Sequence, residues 1–374
     1  MKKILALILA LAMIAALFVG CGKTDDTKTP SDSKGSEDVQ NSDEPGGEGK
    51  TVKVGLICIG DENDMGYTYN FIRGKDAATE ALAAKGINVE WMVKWNIGED
   101  AKCEEANIEL AEAGCQLIIN NSFGHEQFML KVAPDYPDIQ FVGCTNQGSW
   151  GDSYENTHNA FANIYEGRYL AGVVAGMKLQ ELVNDGKVAA DNMDENGNIK
   201  LGYVGAYPYA EVVSGYTAFF LGVQSIVPNV VMDVLYTSSW FDPVAEGEAA
   251  NTLMSRGCII ISQHADSTGA PSACQAAQEA GTTVYCVGYN IDMLPSAPTA
   301  ALTSAQNDWS VYYTYAFNCA LKGEDIATDW AKGYAEGANM ISKLGESCAA
   351  QRVKLQSCAK SLPPANSTTE RREG

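Results

Sequence analysis

The stretch TVKVGLICIGDENDMGYTYN, residues 51–70, holds the pattern that decides the fold. A run of β-branched and apolar residues stops in a polar loop, and NFIRGKDAATEALAAKG (70–86) then follows with helical period and ends at Gly86, a favoured stop. The unit repeats. INVEWMVKW (87–95) reads as a second strand, and EDAKCEEANIELAEAG (99–114) as a helix with Ala106, Leu110 and Ala113 on one face. CQLIINNS (115–122) and DIQFVGCT (138–145) read as two more strands. Continuous apolar strands alternating with helices imply a parallel sheet covered on both faces.

The rhythm breaks at NAFANIYEGRYLAGVVAG (159–176) and starts again. IKLGYVGAY (199–207), NVVMDVLYTSS (229–239), GCIIISQHA (257–265) and TTVYCVGYN (282–290) form a second strand series, with helices expected near 209–225, 243–256 and 270–280. Asp242 suits an N-cap and Pro243 the first helical position after it. Two βα series of similar size predict two α/β lobes with a cleft between them.

The other end of the chain sets the compartment. Lys2 and Lys3 precede ILALILALAMIAALFV (4–19), an apolar core shorter than the roughly 20 residues of a membrane span, followed by Gly20 and Cys21. This is an export signal, and Gly20-Cys21 resembles a bacterial lipobox with Phe18 where Leu is usual. The thiol of Cys21 would carry lipid. Residues 22–50 contain no Ile, Leu, Phe, Tyr or Trp and read as a flexible tether. A net charge of −21 argues against nucleic acid as a partner. Of the 11 cysteines, Cys58, Cys144 and Cys286 lie inside apolar strands and read as small buried hydrophobes. No C-x-x-C occurs.

In open parallel sheets, ligands bind beyond the carboxyl ends of the strands. Those loops are GDENDMGYTYN (60–70), NSFGHE (121–126), YPYAEV (207–212), SSWFDP (238–243), QHADST (263–268) and YNIDM (289–293). They hold carboxylates, amides, aromatics and two of the three histidines, and no arginine. An amino-acid ligand, which asks for an arginine clamp on its carboxylate, therefore falls behind. Paired aromatics suit a flat heterocycle or a sugar face. There is no G-x-G-x-x-G after a strand, no Walker A, no H-E-x-x-H and no G-x-S-x-G. His264 and Asp266 alone make a poor metal site and are tied to no nucleophile. The expectation is binding, with no catalytic residue, metal or cofactor.

The pieces DMGYTYN, NNSFGHE, EGRYLAGVVAGMKL, LGYVGAYPYAEVVSGYTAFFLGVQSIVPN, TSSWFDPVAEGEAANTL, SQHADS, VGYNIDM and ALTSAQNDWSVYY resemble the basic membrane protein family of substrate-binding lipoproteins, from about residue 52 to about 345. That family includes purine nucleoside receptors of ABC transporters. The resemblance implies the type I periplasmic-binding-protein fold, two doubly wound parallel-sheet lobes joined by a three-segment hinge. The lobes would be 51–162 with about 290–322, and 163–289 with about 323–345. It further implies a monomer on the membrane through its lipid, delivering a purine nucleoside or nucleobase to a permease. A sugar or furanone ligand, or a sensor without transport, is the alternative.

Carried over residue by residue, Asp64 and Tyr67 follow the first strand, with Tyr67 as one stacking ring and Trp240 as the other. Phe241, one residue on, is expected to pack inward. Ser122 and Phe123 would lie near the base, and His264 and Asp266 at the cleft. Asn290 stands where many relatives have an acid thought to hold ribose hydroxyls; either Asp292 compensates or the ligand lacks a ribose. Trp309 would line the pocket, with a hinge or core role nearly as well supported. The segment 346–374 departs from relatives in composition and is set apart as an atypical tail, either frameshifted or genuinely variable.

Overall fold

The computed structural model describes residues 51–145 and 153–348, which all fall within one compact unit. The signal, Cys21, the tether and the tail beyond 348 lie outside the described residues. Among the described residues no helix is long and apolar enough to cross a membrane.

The first series runs β1 Thr51–Ile57, α1 Tyr67–Ala83, β2 Asn88–Lys94, α2 Ala101–Glu112, β3 Leu117–Asn120, α3 Glu126–Val132, β4 Gln140–Gly143 and β5 Thr157–Ala160. The second runs α4 Ile164–Asn184, β6 Ile199–Gly205, α5 Ala210–Gln224, β7 Val230–Tyr236, α6 Pro243–Ser255, β8 Ile260–His264, α7 Gly269–Glu279, β9 Tyr285–Tyr289 and β10 Ala301–Asn307. The chain ends its described part with α8 Trp309–Lys322, β11 Asp329–Trp330 and β12 Asn339–Ile341.

Two six-stranded sheets result, ordered β11-β5-β4-β3-β1-β2 and β12-β10-β9-β8-β6-β7. Every pairing in the first is parallel, with Val54 opposite Leu117 and Trp91. In the second only β10–β12 is antiparallel. The central strands β3 and β8 are buried at every position, as burial on both faces requires. One face of the first sheet packs Leu56, Phe71, Leu82 and the α8 rings Tyr313 and Phe317; the other packs Ile57, Leu110, Met129 and Phe141. The second sheet is likewise covered on both faces. Helices α4 and α5 meet backbone to backbone: a Cβ on Gly172 would sit 2.2 Å from the Phe219 carbonyl, and one on Gly222 2.2 Å from that of Tyr169.

The chain passes between the sheets three times: from β5 to α4, from β10 to α8, and from β11 to β12. The later passages fall beyond the expected 290 and 323. β10 pairs with β9 in the second sheet, so the crossing comes at Asp308, and β11 pairs with β5 in the first. The expected tail also begins too early, because Cys348 is fully buried in the second lobe's core.

Candidate ligand site between the lobes

Each sheet reverses its winding once, between β1 and β3 and between β6 and β8. The loops leaving those strands diverge and open a crevice. Here both crevices face each other. A Cβ on Gly66 in the first lobe would fall 1.8 Å from the Asp266 carbonyl in the second, so only glycine allows this approach.

The walls are built from strand ends and helix starts. Asp64 accepts from the backbone N–H groups of Gly66 (2.8 Å), Thr68 (2.8 Å) and Tyr69 (3.0 Å), which makes it the polar start of α1. Burial pushes its carboxyl above the usual range, and those three donors pull it back. Tyr67 is fixed by its hydroxyl, which donates to the Cys144 carbonyl at 2.7 Å. Ser122 Oγ and the Gly124 N–H both donate to Glu99 Oε1, at 2.7 and 2.8 Å, and this clamps the loop that carries Phe123.

From the opposite lobe, Tyr209 stacks on Phe123 with centroids 4.7 Å apart and planes at 16°. Tyr207 stacks on the far side of Tyr209 at 5.0 Å, and Trp240 meets Tyr207 edge-on at 5.1 Å. Offset and edge-to-face pairs of this kind are each worth about 0.5–1.5 kcal/mol. Trp240 is held through its main chain, whose carbonyl accepts from the Asp266 N–H at 2.8 Å. Ser238, two residues earlier, has φ +58°, which turns the strand end into the loop.

Two cavities adjoin here. The inner one, about 30 Å³, is bounded by Tyr67, Phe123, Tyr209, Glu211, His264 and Tyr289, among others. The outer, about 590 Å³, is lined by Asp61, Asn63, Asp64, Asn96, Glu99 and Phe241, among others. Ile59, Trp240 and Asp266 border both. Asp266 is buried, and burial pushes its carboxyl well above the usual range, with the charges of Asp64, Glu246 and Glu211 adding to the effect. Asn290 Nδ2 donates to its Oδ1 at 2.8 Å. His264 is buried between Tyr203, whose hydroxyl lies 3.1 Å from Nδ1, and Glu211, whose Oε2 lies 2.7 Å from Nε2. The arrangement offers flat apolar faces, carboxyl groups and a buried imidazole. Among the described residues no cluster of three or more His, Cys, Asp or Glu side chains could hold a metal ion.

A family model described as "Bmp: ABC transporter substrate-binding protein PnrA-like" matches residues 51–356. The chain belongs to the Bmp family. A purine-binding protein of Brucella abortus is 35% identical over 272 residues, covering 73% of this Bmp protein and 69% of the relative. A putative ABC transporter glucose-binding protein of Haloferax volcanii is 31% identical over 325 residues, covering 86% and 74%. Among solved structures, a solute-binding protein from Aeropyrum pernix K1 superposes with a TM-score of 0.65 at 18% identity, over 84% of this chain and 82% of that one. One from Conexibacter woesei gives 0.59 at 18%, over 84% and 98%. The fold is that of the type I periplasmic-binding proteins.

Of the residues expected at the site of this Bmp protein, Tyr67, Ser122, Phe123, Trp240, His264 and Asp266 border the inner cavity, and Asp64 the outer. Asn290 stands behind Asp266. Two expectations, Asp292 and Phe241, are placed otherwise, and Trp309 takes the second of its two expected roles. Asp292 borders neither cavity and accepts from the Leu294 N–H at 3.0 Å, closing a turn. Trp309 is in the core, 3.9 Å from Phe71 and behind Tyr67. Phe241 does not pack inward but is 46% exposed at the outer cavity. Sequence reasoning had not singled out Tyr207, Tyr209, Glu211 or Tyr289. For the first three the signal was the loop YPYAEV, which leaves β6 at the winding reversal, and for Tyr289 the loop YNIDM, which it opens at the end of β9.

Proposed function

We propose that this Bmp protein captures a purine nucleoside or nucleobase between its lobes and delivers it to a membrane permease. One observation carries the reading: Phe123 and Tyr67 from one lobe and Tyr209 and Trp240 from the other line one small cavity beside a buried Asp266–Asn290 pair. Phe123 and Tyr209 stack on each other across a cavity of about 30 Å³, so a heterocycle enters as the lobes part and takes the faces that now meet, at about 1–3 kcal/mol per base–aromatic contact, and the buried carboxyls suit its N–H groups. The purine-binding relative from Brucella abortus supports the same ligand class. For the Bmp protein to be retained outside the cell, Cys21 carries the lipid and residues 22–50 act as tether. No step of chemistry on the ligand is part of this reading.

A sugar is the second reading, favoured by the glucose-binding relative and by the outer cavity, where Trp240 adjoins Asp61, Asp64 and Glu99. One experiment separates the two. Adenine, adenosine, guanosine, inosine and glucose are titrated while tryptophan fluorescence and the melting temperature are followed. The purine reading expects a fluorescence change and a melt raised by mass action with at least one purine. A response to glucose and to no purine ends it.

A further inference from the structure

Glu211 stands in the first turn of α5 and borders the inner cavity. Its two oxygens are treated differently. Oε2 faces His264 Nε2 at 2.7 Å, whereas Oε1 is buried with no hydrogen-bond partner. A buried acceptor left unpaired is costly, and such groups need a reason to persist.

The surroundings hold Glu211 in place. A neutral imidazole has one donor and one acceptor nitrogen. Nδ1 meets the Tyr203 hydroxyl at 3.1 Å, whereas Nε2 lies 2.7 Å from Glu211 Oε2 but out of line for a hydrogen bond, so the imidazole confines Oε2 by close approach. Behind His264 stands Tyr289, ring to ring at 4.6 Å, and over Tyr289 lies the Arg168 guanidinium, 3.7 Å from the ring centroid. Arg168 is fully buried, donates to the Gln263 carbonyl at 2.6 Å, and has no carboxylate within ion-pair distance among the described residues. It is a fixed cation two rings away from Glu211. Burial and the Arg168 charge both press the His264 imidazole toward its neutral form, against the pull of Glu211.

We infer that Glu211 reads the hydrogen-bonding edge of the ligand. Its Oε1 accepts an N–H of a planar nitrogen heterocycle, while the approach of His264 Nε2 to 2.7 Å fixes where Oε2 lies. The class of ligand thereby narrows to purines that present a ring N–H or an amino group at that edge. The inference rests on the purine reading above.

The test compares parent purines with analogues methylated at single donor nitrogens, such as hypoxanthine with 1-methylhypoxanthine and adenine with its N6-dimethyl form. Calorimetry on the wild type is expected to show at least one methylation weakening binding about tenfold or more. Glu211→Gln keeps the shape and an oxygen for His264, but puts an NH2 group where Oε1 stood. It is expected to lose that discrimination, so that the ratio of parent to methylated affinity falls toward one. A ratio is insensitive to general damage. A wild type that binds purines with no methylation effect overturns the inference and leaves the purine reading standing, as does an unchanged ratio in Glu211→Gln. A wild type that binds no purine removes both.

Discussion

The side-chain amide of Asn290 donates to Asp266 Oδ1 at 2.8 Å, and both residues are buried at the carboxyl ends of β8 and β9. Asn290 sits at φ +64°, a conformation that asparagine and aspartate tolerate better than most residues. Asn290→Asp therefore keeps the backbone and changes one thing: it sets a second carboxyl against one whose pKa burial has already raised. Two such groups hold a proton in the folded state that the unfolded chain gives up above about pH 4. Stability must then fall as pH rises. The melting temperature of Asn290→Asp should lie further below wild type at pH 8 than at pH 5. Equal deficits at the two pH values would mean that the pair does not meet.

Trp240 and Phe241 adjoin in sequence but differ in place. Trp240 borders both cavities, while Phe241 is 46% exposed on the rim of the outer one. Trp240→Ala is expected to weaken purine binding about 5- to 150-fold, the loss of one base–aromatic stack. Phe241→Ala should change it about twofold or less, since a rim ring excludes little water. Calorimetry on the two variants decides, and equal losses would put the stack elsewhere.

Much of this was legible in the sequence where local periodicity decides the structure. The helices expected near 209–225, 243–256 and 270–280 are Ala210–Gln224, Pro243–Ser255 and Gly269–Glu279. Asp242 caps its helix as its type and position suggest, accepting from Val244 and Ala245 N–H groups at 3.1 and 2.9 Å. The hinge was less legible. β10 is buried at every position, yet its Thr303, Ser304, Gln306 and Asn307 are polar, which hides a strand from a hydrophobic pattern. β11 and β12 are 2 and 3 residues long, too short for any period. Tyr209 and Glu211 needed the sheet order. Only when β6 is seen to stand between β7 and β8 does the loop after it become the winding reversal.

Glu246 links the site to a pH effect on stability. It is buried beneath the Trp240 loop, with Oε1 accepting from the Asp242 N–H at 3.2 Å and Oε2 from the Ser267 N–H at 3.3 Å. Burial outweighs these donors and pushes its carboxyl up to about 7, from 4.5. The folded state thus binds a proton more readily than the unfolded one between those values. The stability this contributes is fully present below about pH 4.5 and is lost as pH rises through about 7, an effect of about 3 kcal/mol at most. The buried histidines His125, His158 and His264 act in the opposite sense. Burial lowers their pKa values, so protonation of the unfolded chain below about pH 6.5 costs stability. Comparing wild type with Glu246→Gln cancels the histidines. The variant, which turns an NH2 group toward one of the two N–H donors, should be less stable at pH 5, and the gap should narrow by pH 8. A gap that is constant from pH 5 to 8 would mean that Glu246 does not titrate in this range.

The cysteines yield a final expectation. All nine in the described residues are free and buried. Burial drives the thiols of Cys58 and Cys144 well above their usual range and that of Cys103 up to about 12. Since the thiolate is the reactive form, folding protects these groups twice, by access and by ionisation. Treatment of the native protein with a thiol reagent at pH 8 should modify none of the nine. Unfolding in denaturant without reductant should expose all of them at once. Mass spectrometry after each treatment reads the count directly. A native protein that reacts at Cys58 or Cys144 within minutes, or an unfolded one lighter by two hydrogens per missing pair of thiols, would contradict the free, buried state.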